Sequence, residues 1–179
     1  MSFLEKVKSY FQPKGIQLEM LRYRPNKISY MFGLGAALFL ALGFCCFYSG
    51  TEYTVNVNKP FNLLGITNEG ICQGIDIVIN ILSMLFLFLA AIRMEFYSKS
   101  LGIASICMGA FAIIRVFLLP LSLRVQGSMT VVIFVLVAIF YIISGAMSIV
   151  AGFLSIYRGA ALRKYLETVK PIENEKVVK

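Results

Sequence analysis

The sequence predicts an all-α integral membrane protein: a four-transmembrane-helix bundle, preceded by an amphipathic interfacial helix and carrying a short strand-like outer loop. Three observations predict it. The 179 residues are 59% hydrophobic and only 15% charged, with a mean hydropathy of +0.80, beyond the apolar share of a water-soluble domain. The apolar residues fall into four long runs, each near or above the roughly 20 residues a bilayer requires. Lys and Arg collect in segments that four crossings would bring to one side. The chain divides into a basic arm (1–27), a transmembrane domain (28–157, with spans at about 28–48, 75–92, 101–119 and 129–157), and a helical extension with a charged tail (158–179).

The arm comes first. Ser2 and Glu5 form an S-x-x-E capping box, and Phe3, Leu4, Val7, Tyr10 and Phe11 recur on one helical face with Lys6 and Lys8 beside it. That pattern suits a helix anchored in the headgroup layer, or an arm docked on a partner subunit. Pro13, Lys14 and Gly15 break it. The first span, Ile28 to Tyr48, carries no charge. Gly33, Ala37, Ala41 and Cys45 fall every fourth residue and predict a close helix–helix seam.

The longest loop follows. Tyr53, Val55 and Val57 alternate with Thr54, Asn56 and Asn58, the period of a half-buried strand ending before Pro60. Cys72 lies between this loop and the second span. Its spacing permits a disulfide to Cys45 or Cys46, although small apolar packing is the more economical role.

Asp76, Asn80 and Ser83 open the second span at i, i+4 and i+7, on one helix face. Polar groups are costly against lipid tails, so this face should turn inward. Arg93, Glu95 and Lys99 mark the next turn. The third span offers a small face, Ser105, Gly109 and Ala112, and a cation, Arg115, before Pro120. At 1.5 Å per residue Arg115 sits roughly 7–8 Å from that proline. Pro120 should bend or end the helix, and Leu121 to Ser128 should form an exit turn. The fourth run is long, with Ser144, Ser148, Gly152 and Ser155 on another small stripe and Tyr141 near it. Its helix should continue through Val169, and Pro171 should open a disordered tail. No long internal repeat stands out.

Orientation follows from counting. The arm holds six Lys or Arg, the turn after the second span two, and the C-terminal segment six; the opposite side holds only Lys59 and Arg124. The bias places both termini in the cytoplasm, with the plasma membrane the expected location. Asp76 and Arg115 then share the outer half of the membrane, where opposite charges in low dielectric favour pairing. Glu69 competes as a partner for Arg115.

The chemistry excluded is broad. The chain has no histidine and no tryptophan, so the commonest general base and zinc ligand are missing. There is no C-x-x-C pair, P-loop, H-E-x-x-H or G-x-S-x-G. No cofactor, metal or nucleic acid is expected, and the net charge of +8 is accounted for by topology. The expectation is a non-catalytic accessory, assembly or scaffold subunit of a membrane complex or homo-oligomer. The alternative is a small transporter or channel component using Asp76, Asn80, Ser83 and Arg115.

Overall fold

The computed structural model describes residues 25–50, 69–126 and 129–177. The arm residues Phe3, Leu4, Val7, Tyr10 and Phe11 and the alternating Thr51–Asn58 segment lie outside the described residues. Within them the chain is helical: α1 (Lys27–Gly50), α2 (Glu69–Met94), α3 (Lys99–Arg115), α4 (Leu119–Gln126) and α5 (Val131–Val177). Four helical stretches are long and apolar enough to cross a membrane: Lys27–Gly50, Ile71–Met94, Lys99–Val125 and Val131–Glu167.

These helices form an antiparallel ring in the order α1, α2, α3, α5. Helix α5 is the spine, packing along both α1 and α3, while α2 leans on α1 and touches α3 lightly. The bundle is apolar on its outside. Ile75, Val78, Leu82, Leu85 and Leu89 on α2 and Val132, Ile142 and Phe153 on α5 are exposed, while Ser105, Ser144, Ser148 and Ser155 are buried. That is the reverse of a water-soluble bundle and suits hydrocarbon surroundings. Arg93 and Arg158 lie at one end of the ring, called the basic end below; Asp76 and Arg115 lie toward the other.

Small residues set how closely α3 and α5 approach. A Cβ added to Gly109 would stand 2.6 Å from the Gly145 carbonyl oxygen, and one on Gly145 would stand 2.6 Å from that of Gly109. Gly102 and Gly152 meet in the same reciprocal way. Between these pairs, Ser148 Oγ donates to the Ser105 carbonyl at 2.8 Å and Ser105 Oγ to the Ser148 carbonyl at 3.0 Å. The contact has a local twofold character, and the sequence mirrors it. Residues 102–113 (GIASICMGAFAI) and 145–156 (GAMSIVAGFLSI) share Gly, Ser, Ile, Gly and Ile at the same five places. Ile106 and Ile113 lie where side chains on Gly152 and Gly145 would go, and Ile149 and Ile156 do the same for Gly109 and Gly102. Small residues that let backbones meet, flanked by stiff β-branched side chains, make a tight seam in a membrane helix pair.

The seam predicted on α1 turns with the helix. Gly33 is buried against Ala91, Ala37 packs half-buried on the core, and Ala41 is half-buried. Cys45 is exposed. The buried line instead runs Ser29, Gly33, Ala36, Leu40, Gly43 and Phe47. A strict four-residue step advances about 400° on a 3.6-residue helix, so three steps drift about 120° off the starting face. Ser144, Ser148 and Gly152 are all buried. Ser144 Oγ donates to the Ala36 carbonyl at 2.7 Å and Ser29 Oγ to the Ala151 carbonyl at 2.6 Å, tying α1 to α5.

Two boundaries differ from expectation. Helix α3 stops at Arg115, and residues 116–118 tighten into i to i−3 bonds before α4 begins. Pro120 then occupies the first turn of α4, where its missing N–H costs nothing, instead of ending the span in a loop. The proline's effect falls N-terminal to itself, because its ring presses on the carbonyl four residues back. At the far end, α5 runs through Pro171 to Val177, past the break its proline predicts.

Candidate functional site

The buried face of α2 carries Gln73, Asp76, Asn80 and Ser83 in its first half and Leu87, Ala90, Ala91 and Met94 in its second. The polar half converges with side chains from the other three spans. Asp76 Oδ1 accepts from Arg115 Nη2 at 2.5 Å and Nε at 3.2 Å. Asp76 Oδ2 accepts from Asn80 Nδ2 at 3.1 Å and Tyr48 Oη at 3.2 Å. Two donor groups thus face each oxygen, close to the roughly four lone-pair sites a carboxylate offers, with the single Tyr48 proton shared with the Gln73 carbonyl.

The guanidinium is held as fully. Besides the carboxylate, Arg115 Nη2 donates to the Asp76 main-chain carbonyl at 3.2 Å, and Nη1 to Asn80 Oδ1 at 2.6 Å. Its Cζ lies 5.5 Å from the centroid of the Tyr141 ring, within cation–π range. Tyr141 Oη donates to Asn80 Oδ1 at 3.3 Å, and Tyr48 Oη also reaches the Gln73 carbonyl at 3.2 Å. Asn80 thus donates to one charge and accepts from the other, joining both into one network. The Asp76 and Arg115 side chains are 11% and 4% exposed, so their attraction acts in low dielectric.

Local sequence explains why each group arrives here. Asp76 and Asn80 stack one turn apart, and Asn80 Nδ2 also returns to the Asp76 carbonyl at 3.1 Å. Arg115 is the last residue of α3, where a cation is favoured by the helix dipole. Tyr48 closes α1, with its ring against Phe44 and Phe47, and Tyr141 sits fully buried in α5.

Three of the four residues predicted for the polar network therefore meet: Asp76, Asn80 and Arg115. Ser83 does not join them. It lies about two turns, or roughly 10 Å, beyond Asp76 and faces an apolar groove of about 600 Å³ between α2 and α3, with Leu82, Phe86, Met108 and Phe111. Tyr48 and Tyr141 are the members that linear reading missed. The usable signal was strongest for Tyr141, since a tyrosine deep in an apolar run needs a hydrogen-bond partner when buried; Tyr48, at the end of its span, gave less.

A second polar cluster lies at the basic end. Arg158, 8% exposed, donates through Nη1 to Asn26 Oδ1 at 3.0 Å. The Asn26 main-chain N–H donates to the Glu95 carbonyl at 2.9 Å, and Ser155 Oγ to the Ser98 carbonyl at 3.1 Å. Among the described residues Asn26 Nδ2 is a buried donor without an acceptor. Tyr97 turns the chain between α2 and α3 at φ 59°, a left-handed conformation uncommon for an aromatic residue. Burial pushes its phenol above the ordinary value, against the pull of Arg158.

Among the described residues no three His, Cys, Asp or Glu side chains are grouped to hold a metal ion. None of the four cysteines is joined in a disulfide, with Cys72 buried and Cys45 exposed, so the spacing-permitted bridge is not formed. The chain matches no known protein family, and neither a curated protein nor a solved structure is detectably similar to it.

Proposed function

We propose that this chain is a non-catalytic four-span subunit, a structural or assembly component of a membrane complex or homo-oligomer. The observation that carries the reading is the near-saturation of Asp76. Both carboxylate oxygens face donors, from Arg115 and Asn80 and from the Tyr48 hydroxyl that is shared with the Gln73 carbonyl, which leaves them little capacity for a travelling ion or substrate. A transport site near the midplane uses unwound helices and unsatisfied carbonyls around its cargo. Here the polar side chains close on one another, and the charges lock the helices that carry them. The wholly apolar stretch from Met84 to Ala91, below this network on α2, also favours a packing element over a conduction path.

The positive-inside bias supports a plasma-membrane protein with both termini cytoplasmic. In that orientation the Asp76–Arg115 network faces the outer leaflet.

The deciding experiment has two arms. Solubilised gently from its native membrane, the protein should run in a particle whose protein mass, bound detergent subtracted, is well above its 20.0 kDa chain mass. Reconstituted alone in liposomes, it should leave ion and proton gradients intact. A monomer that dissipates a gradient, and stops doing so on Asp76→Asn, would overturn the subunit reading in favour of a channel or transporter.

A further inference from the structure

We infer that the basic end carries a binding pocket for the phosphate of an acidic phospholipid, built between the start of α3 and the extension of α5; the inference rests on the membrane reading above. A cavity of about 390 Å³ is lined by Lys99 from α3 and by Gly159, Ala160, Arg163, Lys164 and Glu167 from α5. Three cations face one carboxylate across two elements far apart in sequence, so the concavity is a product of the fold and not of one charged helix face.

The start of α3 adds to the attraction. No acidic residue stands in its first turn, and Ser98 at the cap makes no side-chain hydrogen bond to it. The main-chain N–H groups there are therefore not neutralised by a capping side chain, and the positive end of the helix dipole points toward the cavity rim at Lys99. Guanidinium, ammonium and helix N–H groups together are a recurring way to bind a phosphate oxyanion.

Two observations favour a lipid over a dissolved anion. The first is depth. Ala160 to Arg163 lie about 5–9 Å past Tyr157 along α5 at 1.5 Å per residue, which is the headgroup layer if hydrocarbon ends near that tyrosine. The second is a track for the tails. One turn along α3 from Lys99 stands Ile103, and one and two turns back along α5 from Ala160 stand Tyr157 and Phe153. These three are 48%, 43% and 60% exposed. A headgroup in the pocket would thus have its acyl chains laid along an apolar strip on the same two helices. Basic pockets between spans on the cytoplasmic side are suited to such headgroups.

The test uses the full-length protein in neutral detergent, with native mass spectrometry reporting bound lipid. Phosphatidylglycerol should be retained several-fold over phosphatidylcholine of the same chains, because both carry the phosphate but the choline cation is repelled by Lys99, Arg163 and Lys164. Lys99→Gln combined with Arg163→Gln should remove that preference, while Lys27→Gln, an exposed cation at the same end but outside the pocket, should leave it intact. Both exposed substitutions can be checked for folding by helicity and elution volume. Equal retention of the two lipids by the unaltered protein overturns the proposal, as does an equal loss in the Lys27 variant. Displacement of phosphatidylglycerol by an equal concentration of inorganic phosphate would assign the pocket to free anions and overturn the lipid assignment. A chain that stays monodisperse without detergent would instead sink the membrane reading, a different failure from a detergent-bound protein with no lipid preference.

Discussion

Arg115 Nη2 and Asp76 Oδ1 lie 2.5 Å apart between α3 and α2, the two neighbouring spans that otherwise pack most lightly. The ion pair supplies attraction where side-chain interdigitation is thin. Each charge was expensive to bury, and each is tolerable only because the other is present. Arg115→Met alone or Asp76→Leu alone should therefore destabilise the bundle by about 3–5 kcal/mol, chiefly through the charge left stranded. Asp76→Leu combined with Arg115→Met should cost far less than the two single changes added together. Unfolding temperatures of the three variants in one detergent measure this. Additive losses would show that the charges do not act as a pair.

Tyr48 and Tyr141 make unequal contributions to the same network. Tyr48 donates to a carboxylate oxygen at 3.2 Å, whereas Tyr141 donates to an amide oxygen at 3.3 Å and also offers its ring to Arg115. A hydrogen bond to a charged group is the stronger kind. Tyr48→Phe should cost about 1 kcal/mol, toward the upper part of what bonds within membrane proteins provide. Tyr141→Phe should cost less, since the ring remains. Tyr141→Leu should cost more than either, because it removes a fully buried aromatic volume as well. The same thermal assay ranks the three; a larger loss for Tyr141→Phe than for Tyr141→Leu would contradict the role given to the ring.

The difference between the legible and illegible parts of this network is one of range. Asp76 and Asn80 are one turn apart, so their common face follows from helix geometry alone. Arg115 could be matched to Asp76 because opposite charges in apolar surroundings leave few partners. Ser83 obeys the same periodicity as Asn80 and is buried as expected, yet reach, and not face, decides membership in the network. Tyr48 and Tyr141 depend on the register of α1 and α5 against α2, which no local pattern encodes. The four spans were legible from hydropathy because the bilayer demands long apolar helices whatever their packing. The α1 seam was only half legible, since a four-residue stripe leaves the buried face as the helix turns.

Glycine substitutions should separate close contacts from open ones. Gly109→Ala and Gly145→Ala each drive a methyl group into a backbone carbonyl at 2.6 Å, and backbone cannot move aside without separating α3 from α5. Each should cost about 1–3 kcal/mol, as overpacking does. Gly35→Ala meets the mobile thioether end of Met147, so a rotamer change should absorb most of the strain. Gly74→Ala meets nothing within 4 Å and should be neutral or stabilising by up to about 1 kcal/mol through helix propensity. Thermal shifts for the four variants should follow that order. A benign Gly109→Ala would mean that α3 and α5 do not approach as closely as described.

Ser105 and Ser148 test what holds that seam together. Their reciprocal bonds invite the view that hydrogen bonding joins α3 to α5. Yet each hydroxyl donates to a carbonyl on the partner helix, in a stretch where α-helical carbonyls already accept intrahelical bonds, so removing it strands no buried donor. Ser105→Ala and Ser148→Ala also keep the seam narrow and add no volume. Each should cost only about 0.6 kcal/mol, the average for such contacts in membrane bundles, well below Gly109→Ala. Ser105→Val should resemble the glycine variants, because its added methyls must enter the same narrow gap between Gly102 and Gly109. Losses for Ser105→Ala as large as those for Gly109→Ala would reverse the ranking and make the hydroxyls, rather than backbone proximity, the main tie between the two helices.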